Sequence, residues 1–420
     1  MSTRTEPARP ARYLRILLIG TGVAIGLFAG VNRLIDPFGL FDGPRIEGLN
    51  ANKPEFAFHL RLAKAQAVRR VRPRAIVLGT SRGEIGIDPQ HPGWGAQPVY
   101  NLALSSANLY EAWRYLQHAQ AIAPLQQVVL MLDFFMFNAN ENIEEGDFDE
   151  RRLAVAADGQ PQEGAVNDLL TAVGSIDTLF ASVQTVRQQR AADLDLYRAD
   201  GYRFWKNHAR AEIRRQGGQR AAFQQNEKGY FSSAYARFTF ANARRDNRAI
   251  YRQLVQFAHR NGIDLRIAIS PSHARQFETI AAKGLWPLFE DWKRMLVRVN
   301  AESAWAAGKA AFPIWDFSGY GGLTSEPVPP PSDTTSEMRW YWESSHYKKE
   351  LGDLALDRIF DHRAPGRSLP DDFGILLTPE ALAAHLVRVN GDRQRWRATF
   401  PADVDEIEQL MKTVPVSKVK

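Results

Sequence analysis

Arg74-Ala75-Ile76-Val77-Leu78-Gly79-Thr80-Ser81-Arg82 is a short apolar run that ends on a glycine and passes directly into two hydroxyl residues. Its length and β-branched content predict a buried strand, and Gly79 permits a tight turn after it. Similar runs follow at Val99 to Leu102, Gln127 to Leu132, Leu265 to Ser270 and Phe312 to Phe317. Helical patterns separate them. Pro54 to Arg72 is rich in Ala, Leu and Arg. Ala107 to Ile122 repeats apolar residues at Leu109, Ala112, Trp113, Leu116 and Ala119, which lie on one helix face. Asn242 to Asn261 ends on an Asn-Gly stop, Phe277 to Ala307 is long with an interruption expected at Pro287, and Tyr347 to Phe360 is a further helix. Strand alternating with helix predicts an α/β fold with a parallel sheet covered on both faces.

The alternation fails between Asn138 and about Asn242, where an acidic segment, a helix near Val166 to Arg190 and a basic stretch dotted with aromatics intervene. This reads as a large helical insertion forming a lid or substrate surface, with no linker to make it a separate domain. Residues 32–365 then form the α/β domain. Residues 366–420 form a C-terminal helical extension with a helix at Pro379 to Val389 and a frayed end.

Residues 13–31 are apolar apart from Arg15. Nineteen helical residues span about 28 Å, close to the thickness of a bilayer core. Arg4, Arg9 and Arg12 lie in the preceding tail, residues 1–12, against the single acid Glu6. The positive-inside rule therefore keeps the tail in the cytoplasm and exports the rest. A cleaved signal peptide is the competing reading, but Leu27 to Val31 has no clean small-x-small site. No later stretch is long and apolar enough to span, so the chain reads as single-pass.

Composition narrows the chemistry. The chain has no cysteine, which removes disulfides, thiolate metal sites and a cysteine nucleophile. Its net charge of +6 over 420 residues is mild and dispersed, which does not argue for nucleic acid. No phosphate-binding glycine loop or His-Glu-x-x-His is present, so no cofactor or metal is expected.

Ligands bind beyond the carboxyl ends of the strands in an open parallel sheet, and Ser81 stands at the first such end. It is either a nucleophile or an ordinary helix cap. A nucleophile needs a base. His346, in Glu343-Ser344-Ser345-His346-Tyr347, precedes the last helix of the core, and a carboxylate three residues before it can fold back onto one ring nitrogen. Without that partner it is a surface-loop histidine. His273, in Ser270-Pro271-Ser272-His273, follows another strand and is a substrate ligand, an alternative base or a helix cap. Trp340 and Trp342 flank the base loop and are the best candidates for a sugar-stacking platform among ten tryptophans, most of them expected in the core.

Gly79-Thr80-Ser81-Arg82, Tyr100-Asn101-Leu102-Ala103-Leu104-Ser105-Ser106 and the late Glu343-x-x-His346 together resemble the SGNH/GDSL hydrolase superfamily. The closest likeness is to a bacterial branch with one N-terminal membrane helix, which includes esterases and periplasmic O-acetyltransferases of exopolysaccharides such as alginate. The resemblance covers roughly Asn32 to His362. It implies a three-layer, flavodoxin-like fold with a five-stranded parallel sheet, and Ser81 as nucleophile activated by His346 and Glu343. It also implies an oxyanion hole. The family's donor glycine falls at Ser105 or Ser106, and its donor asparagine falls at Asn138 or Asn108. Arg82 is a further candidate beside the nucleophile. The implied substrate is a carbohydrate or acylated glycan, with a membrane acyl-donor protein as a possible partner. The implied location is the bacterial inner membrane, with the catalytic domain in the periplasm.

Overall fold

The computed structural model describes residues 8–140, 147–162, 165–194, 196–233, 235 and 237–414. The tail before residue 8, the acidic start of the insertion at 141–146 and the C-terminal end from residue 415 lie outside the described residues.

Helix α1 (Ala8–Ile35) leads the chain. Its segment from Arg12 to Ile35 is long and apolar enough to cross a membrane, with an 18-residue window of mean hydropathy 2.0 that is unburied, while Asn32 and Ile35 at its end are buried. A 3₁₀ turn at Pro54–His59 runs into α2 (Leu60–Val71). Then come β1 (Ala75–Leu78), α3 (Ser81–Gly86), β2 (Val99–Asn101), α4 (Leu109–Ile122) and β3 (Gln127–Leu132). The insertion follows: α5 (Ala165–Gly174), α6 (Ile176–Gln188), a hairpin of β4 (Leu196–Tyr197) and β5 (Arg203–Phe204), α7 (Lys206–Gln216) and α8 (Gln219–Ser232). The alternation resumes with α9 (Asn247–Asn261), β6 (Asp264–Ile269), α10 (Ala274–Ala282), α11 (Trp286–Ala307), β7 (Ile314–Asp316) and α12 (Lys349–Phe360). β8 (Ile375–Leu376), α13 (Leu382–Thr399) and α14 (Pro401–Thr413) end the described chain.

The main sheet has the order β2-β1-β3-β6-β7-β8. Its first five strands are parallel, with Val77 opposite Val129 and Val129 opposite Arg266, while β8 pairs antiparallel with β7. The resemblance implied five strands; the sixth is an edge supplied by the C-terminal extension. Successive strand residues point to opposite faces, and each face has its own apolar cluster. Ile76, Leu78, Val128, Leu130 and Ile267 pack with α2, α4, α9 and α11. Ala75, Val77, Val129, Met131 and Ala268 pack with Leu351, Leu354, Ala355 and Ile359 of α12. Helices therefore cover both faces of a mostly parallel sheet.

Three expectations need correction. The long helix from Phe277 is two helices, broken at Lys283 to Leu285, and Pro287 sits in the first turn of α11. Proline suits that position because its missing N–H has no intrahelical acceptor there. The helix near Val166 to Arg190 is also two, broken at Ser175. The C-terminal extension holds two helices where one was expected.

The strand order reverses between β1 and its two neighbours: the chain steps outward to β2, then back across to β3. A crevice forms at such a point beyond the carboxyl ends, and Ser81 lies there.

Candidate active site

β1 ends at Leu78, and the chain turns at once. Gly79 has φ +147°, and a Cβ there would lie 2.7 Å from the Met131 carbonyl oxygen, so the close approach to β3 needs glycine. Thr80, not Ser81, is the N-cap of α3: its Oγ1 accepts from the Arg82 N–H at 3.3 Å and donates to Asp133 Oδ2 at 2.6 Å. Ser81 is thereby relieved of capping, and its Oγ lies 2.7 Å from Nε2 of His346.

The base loop is folded on its own carboxylate. Glu343 accepts the N–H groups of Ser345 at 2.8 Å and His346 at 3.0 Å, and it bonds Nδ1 of the His346 ring. A proton on Nδ1 directed at Glu343 leaves the Nε2 lone pair for the Ser81 hydroxyl, the tautomer a general base requires. Burial alone would raise the pKa of Glu343. The charge and hydrogen bond of His346, the Ser345 N–H and the charge of Arg82 outweigh it, so the carboxyl lies below its ordinary value. Ser81 and His346 remain partly open to solvent, while Glu343 is buried.

The elements bearing Ser81 and His346 touch at glycines. A Cβ on Gly352 of α12 would lie 1.8 Å from the carbonyl oxygen of Gly86 in α3. This contact sets the distance between the helix that Ser81 begins and the helix that follows His346.

Arg82 has a positioning role. Its buried guanidinium pairs with Asp133 at 2.7 Å, donates to the Ser345 carbonyl at 3.0 Å and donates to the Tyr230 hydroxyl at 2.9 Å. It therefore joins the end of β3, helix α8 of the insertion and the base loop.

The other candidates separate by location. Leu104 N–H donates to the Gly79 carbonyl at 3.0 Å, which carries Ser105 and Ser106 alongside the Ser81 turn. Ser106 has φ +57°, the left-handed region that glycine favours, and is exposed. Ser105 Oγ donates to Glu84 at 2.8 Å and accepts from Arg203 at 2.9 Å. Asn108 caps α4 in a capping box with Glu111. Asn138 accepts the Asn140 and Thr239 N–H groups and closes the base of the insertion. A structural task accounts for each of these amide oxygens. His273 is the cap of α10 and not an alternative base. Its Nδ1 accepts from Arg275 N–H at 3.2 Å, and its Nε2 bonds the Glu326 carbonyl at 2.7 Å. Burial pushes its pKa down to about 4, so the ring stays neutral.

A cavity of about 380 Å³ lies on the far side of Trp205 from His346, and neither Ser81 nor His346 lines it. Tyr202, Phe204, Trp205 and Trp342 line it together with cations that include Lys206 and Lys348. The Trp205 ring lies 5.0 Å from the His346 ring and 6.5 Å, edge to face, from Trp342. Trp340 does not line this cavity; its ring lies under Arg339 at 4.3 Å. The three new aromatics belong to the insertion, and the aromatic-dotted composition there was their only sequence signal. Tyr230 of α8 shares only that signal, and nothing in the sequence pairs Asp133 with Arg82.

Among the described residues, His91, Asp357 and His362 have metal-ligand spacing. Arg367 already pairs with Asp357 at 2.7 Å, so the carboxylate is neutralised without an ion. No family model matches the chain, and no curated protein matches it.

Proposed function

We propose that this chain is an SGNH-type serine acyl-transfer enzyme, an esterase or O-acyltransferase of an envelope or exported glycan. In this reading α1 holds it in the bacterial inner membrane, with the α/β domain outside the cytoplasm. The observation that carries the reading is the 2.7 Å contact of Ser81 Oγ with His346 Nε2, with Glu343 on the far side of the ring. His346 takes the hydroxyl proton as Ser81 Oγ bonds the acyl carbon. The bond from that carbon to the leaving oxygen breaks, and His346 returns the proton to that oxygen. Water or a sugar hydroxyl then gives its proton to His346 and attacks the acyl-serine; the bond from the acyl carbon to Ser81 Oγ breaks, and His346 returns the proton to that oxygen. The aromatic cavity across Trp205 from His346 supports a sugar as the group held there.

The test is labelling of the full-length protein with a fluorophosphonate probe. The wild type should label, Ser81→Ala should not, and His346→Ala should label almost as poorly. Combining the two should add little, because the pair acts as one unit. Equal labelling of wild type and Ser81→Ala would remove Ser81 as nucleophile. A folded wild type that never labels favours the second reading, a glycan-binding assembly protein that retains the fold. The departure at Ser105 and Ser106 favours that alternative, since they stand where the resemblance places the oxyanion-donor glycine.

A further inference from the structure

Helices on the surface of a water-soluble domain turn large apolar side chains inward and polar ones outward. α6 does the reverse. Thr178, Ala181, Ser182 and Thr185 form its buried face. Ile176, Phe180 and Val183 point outward, exposed by 65%, 67% and 40%. At about 100° per residue these three make one stripe. Leu170 of α5, exposed by 62%, adds to the same apolar surface. Small residues at the helix contact and large apolar ones outside is the pattern of a helix solvated by lipid.

The position of this surface identifies its cover. α5 and α6 both pack against α1. Asn32, in the last turn of α1, donates to the carbonyls of Val173 at 3.0 Å and Ser175 at 3.2 Å, and accepts from Ser182 Oγ at 3.1 Å. Buried amide bonds of this kind fix the helix pair to the end of the apolar span. The two helices meet at a bend of 67°. Their 10 and 13 residues are too short to cross a core of about 30 Å singly. They are long enough to enter one leaflet. Asp177 in the first turn and Arg187 in the last place charge at the two ends of α6, where side chains can reach the headgroups.

We infer that α5 and α6 form an elbow seated in the leaflet from which α1 emerges, with the Ile176–Phe180–Val183 stripe against acyl chains. The occupant is a phospholipid bilayer, because the stripe continues the exposed apolar surface of α1. The inference rests on α1 being in the membrane, and it is independent of the chemistry at Ser81.

The chain has no cysteine, so one introduced cysteine is a unique label site. Full-length Ile176→Cys and Phe180→Cys carry an environment-sensitive dye in phosphatidylethanolamine–phosphatidylglycerol vesicles containing nitroxide lipids. Leu27→Cys in α1 reports the anchor. Trp305→Cys, at an exposed position on α11, reports water. Dyes at 176, 180 and 27 should lose emission to the lipid nitroxide, and the dye at 305 should not. Quenching at 27 with 180 no different from 305 would overturn the elbow and leave the anchor standing. No quenching at 27 would overturn both. A dye at 180 shielded from nitroxide lipid and from aqueous iodide alike would mean that protein, such as a second copy of this chain, covers the stripe; that result also overturns the inference. None of these readouts depends on acyl transfer, so fluorophosphonate labelling remains a separate test of Ser81.

Discussion

Arg82 follows Ser81, the proposed nucleophile, yet its charge is committed to structure. Asp133 is almost fully enclosed and pairs with it. Arg82→Ala would leave that carboxylate buried without its cation, a change that typically costs about 3–5 kcal/mol. It would also release the Ser345 carbonyl and so loosen the loop that presents His346. The expected result is a lower urea midpoint together with slower fluorophosphonate labelling. Arg82→Lys should recover part of the stability but less of the labelling, because an ammonium cannot reproduce the three-way guanidinium contact. Labelling at the wild-type rate in a destabilised but folded Arg82→Ala would refute the positioning role. At this scale Ser81, Glu343 and His346 were legible because each signal is local: a strand ending in Gly-x-Ser, and a carboxylate three residues before a histidine. The link of Asp133 and Tyr230 to Arg82 was not, since Asp133 is brought to it by the pairing of β1 with β3 and Tyr230 by the packing of the insertion, across 148 residues.

The contact between α3 and α12 couples helix packing to the distance between Ser81 and His346. Gly86 and Gly352 meet backbone to side-chain position, and the atom blocking a Cβ on Gly352 is a carbonyl oxygen that cannot rotate away. Gly352→Ala must therefore move one helix, at a cost of about 1–3 kcal/mol. The shift separates the start of α3 from the loop before α12, so labelling should slow several-fold. Gly229→Ala on α8, where nothing lies within 4 Å, is the matched control and should leave both measurements near wild type. Unchanged labelling in Gly352→Ala would show that the base loop is positioned independently of α12. The same reliance on packing explains which elements the sequence announced. β1 and β3 are runs buried on both faces, and β6 is apolar from Ile267 to Ile269, so all three were plain. β8 is two residues long and carries no periodicity. α14 was missed because part of its inward face is charged: Asp403 and Glu406 pair with the buried Arg275, and Asp403 also pairs with Arg220. An apolar-period search passes over a helix anchored by carboxylates.

For the molecule as a whole, the end of the apolar helix α1 is tied by a short chain of contacts to the Ser81 turn. The Ile35 carbonyl at the end of α1 accepts from Lys53 Nζ, and seven residues after Lys53 the chain enters α2, whose Arg61 donates to the Ser105 carbonyl beside the Ser81 turn. A reporter active only outside the cytoplasm, fused after Lys420, should be active; activity of a cytoplasm-only reporter there would reverse the proposed orientation. The pH dependence of stability follows from histidines buried in neutral form. His118 joins α4 to α2 through the Ala65 carbonyl and accepts the Ala154 N–H, and burial pushes its pKa down to about 4. His273 is lowered to about 4 for the same reason. In the unfolded chain each takes a proton near its ordinary pKa of about 6.5. Stability from both is therefore complete above that value and falls as the pH drops, because only the unfolded state gains the proton. The loss continues until the folded pKa near 4 and amounts to as much as ~3 kcal/mol per histidine. Glu227, raised by burial, works in the opposite direction. The wild-type slope is thus a net value, and a variant is needed to isolate one histidine. Urea midpoints of the detergent-solubilised chain should fall between pH 7.5 and 4.5. In His118→Gln, which keeps an amide donor and acceptor but cannot ionise, the fall should be shallower, even if that protein starts less stable. Parallel pH slopes for the two proteins would mean that His118 is protonated in the folded state or reached by water, and the linkage argument would fail at that residue.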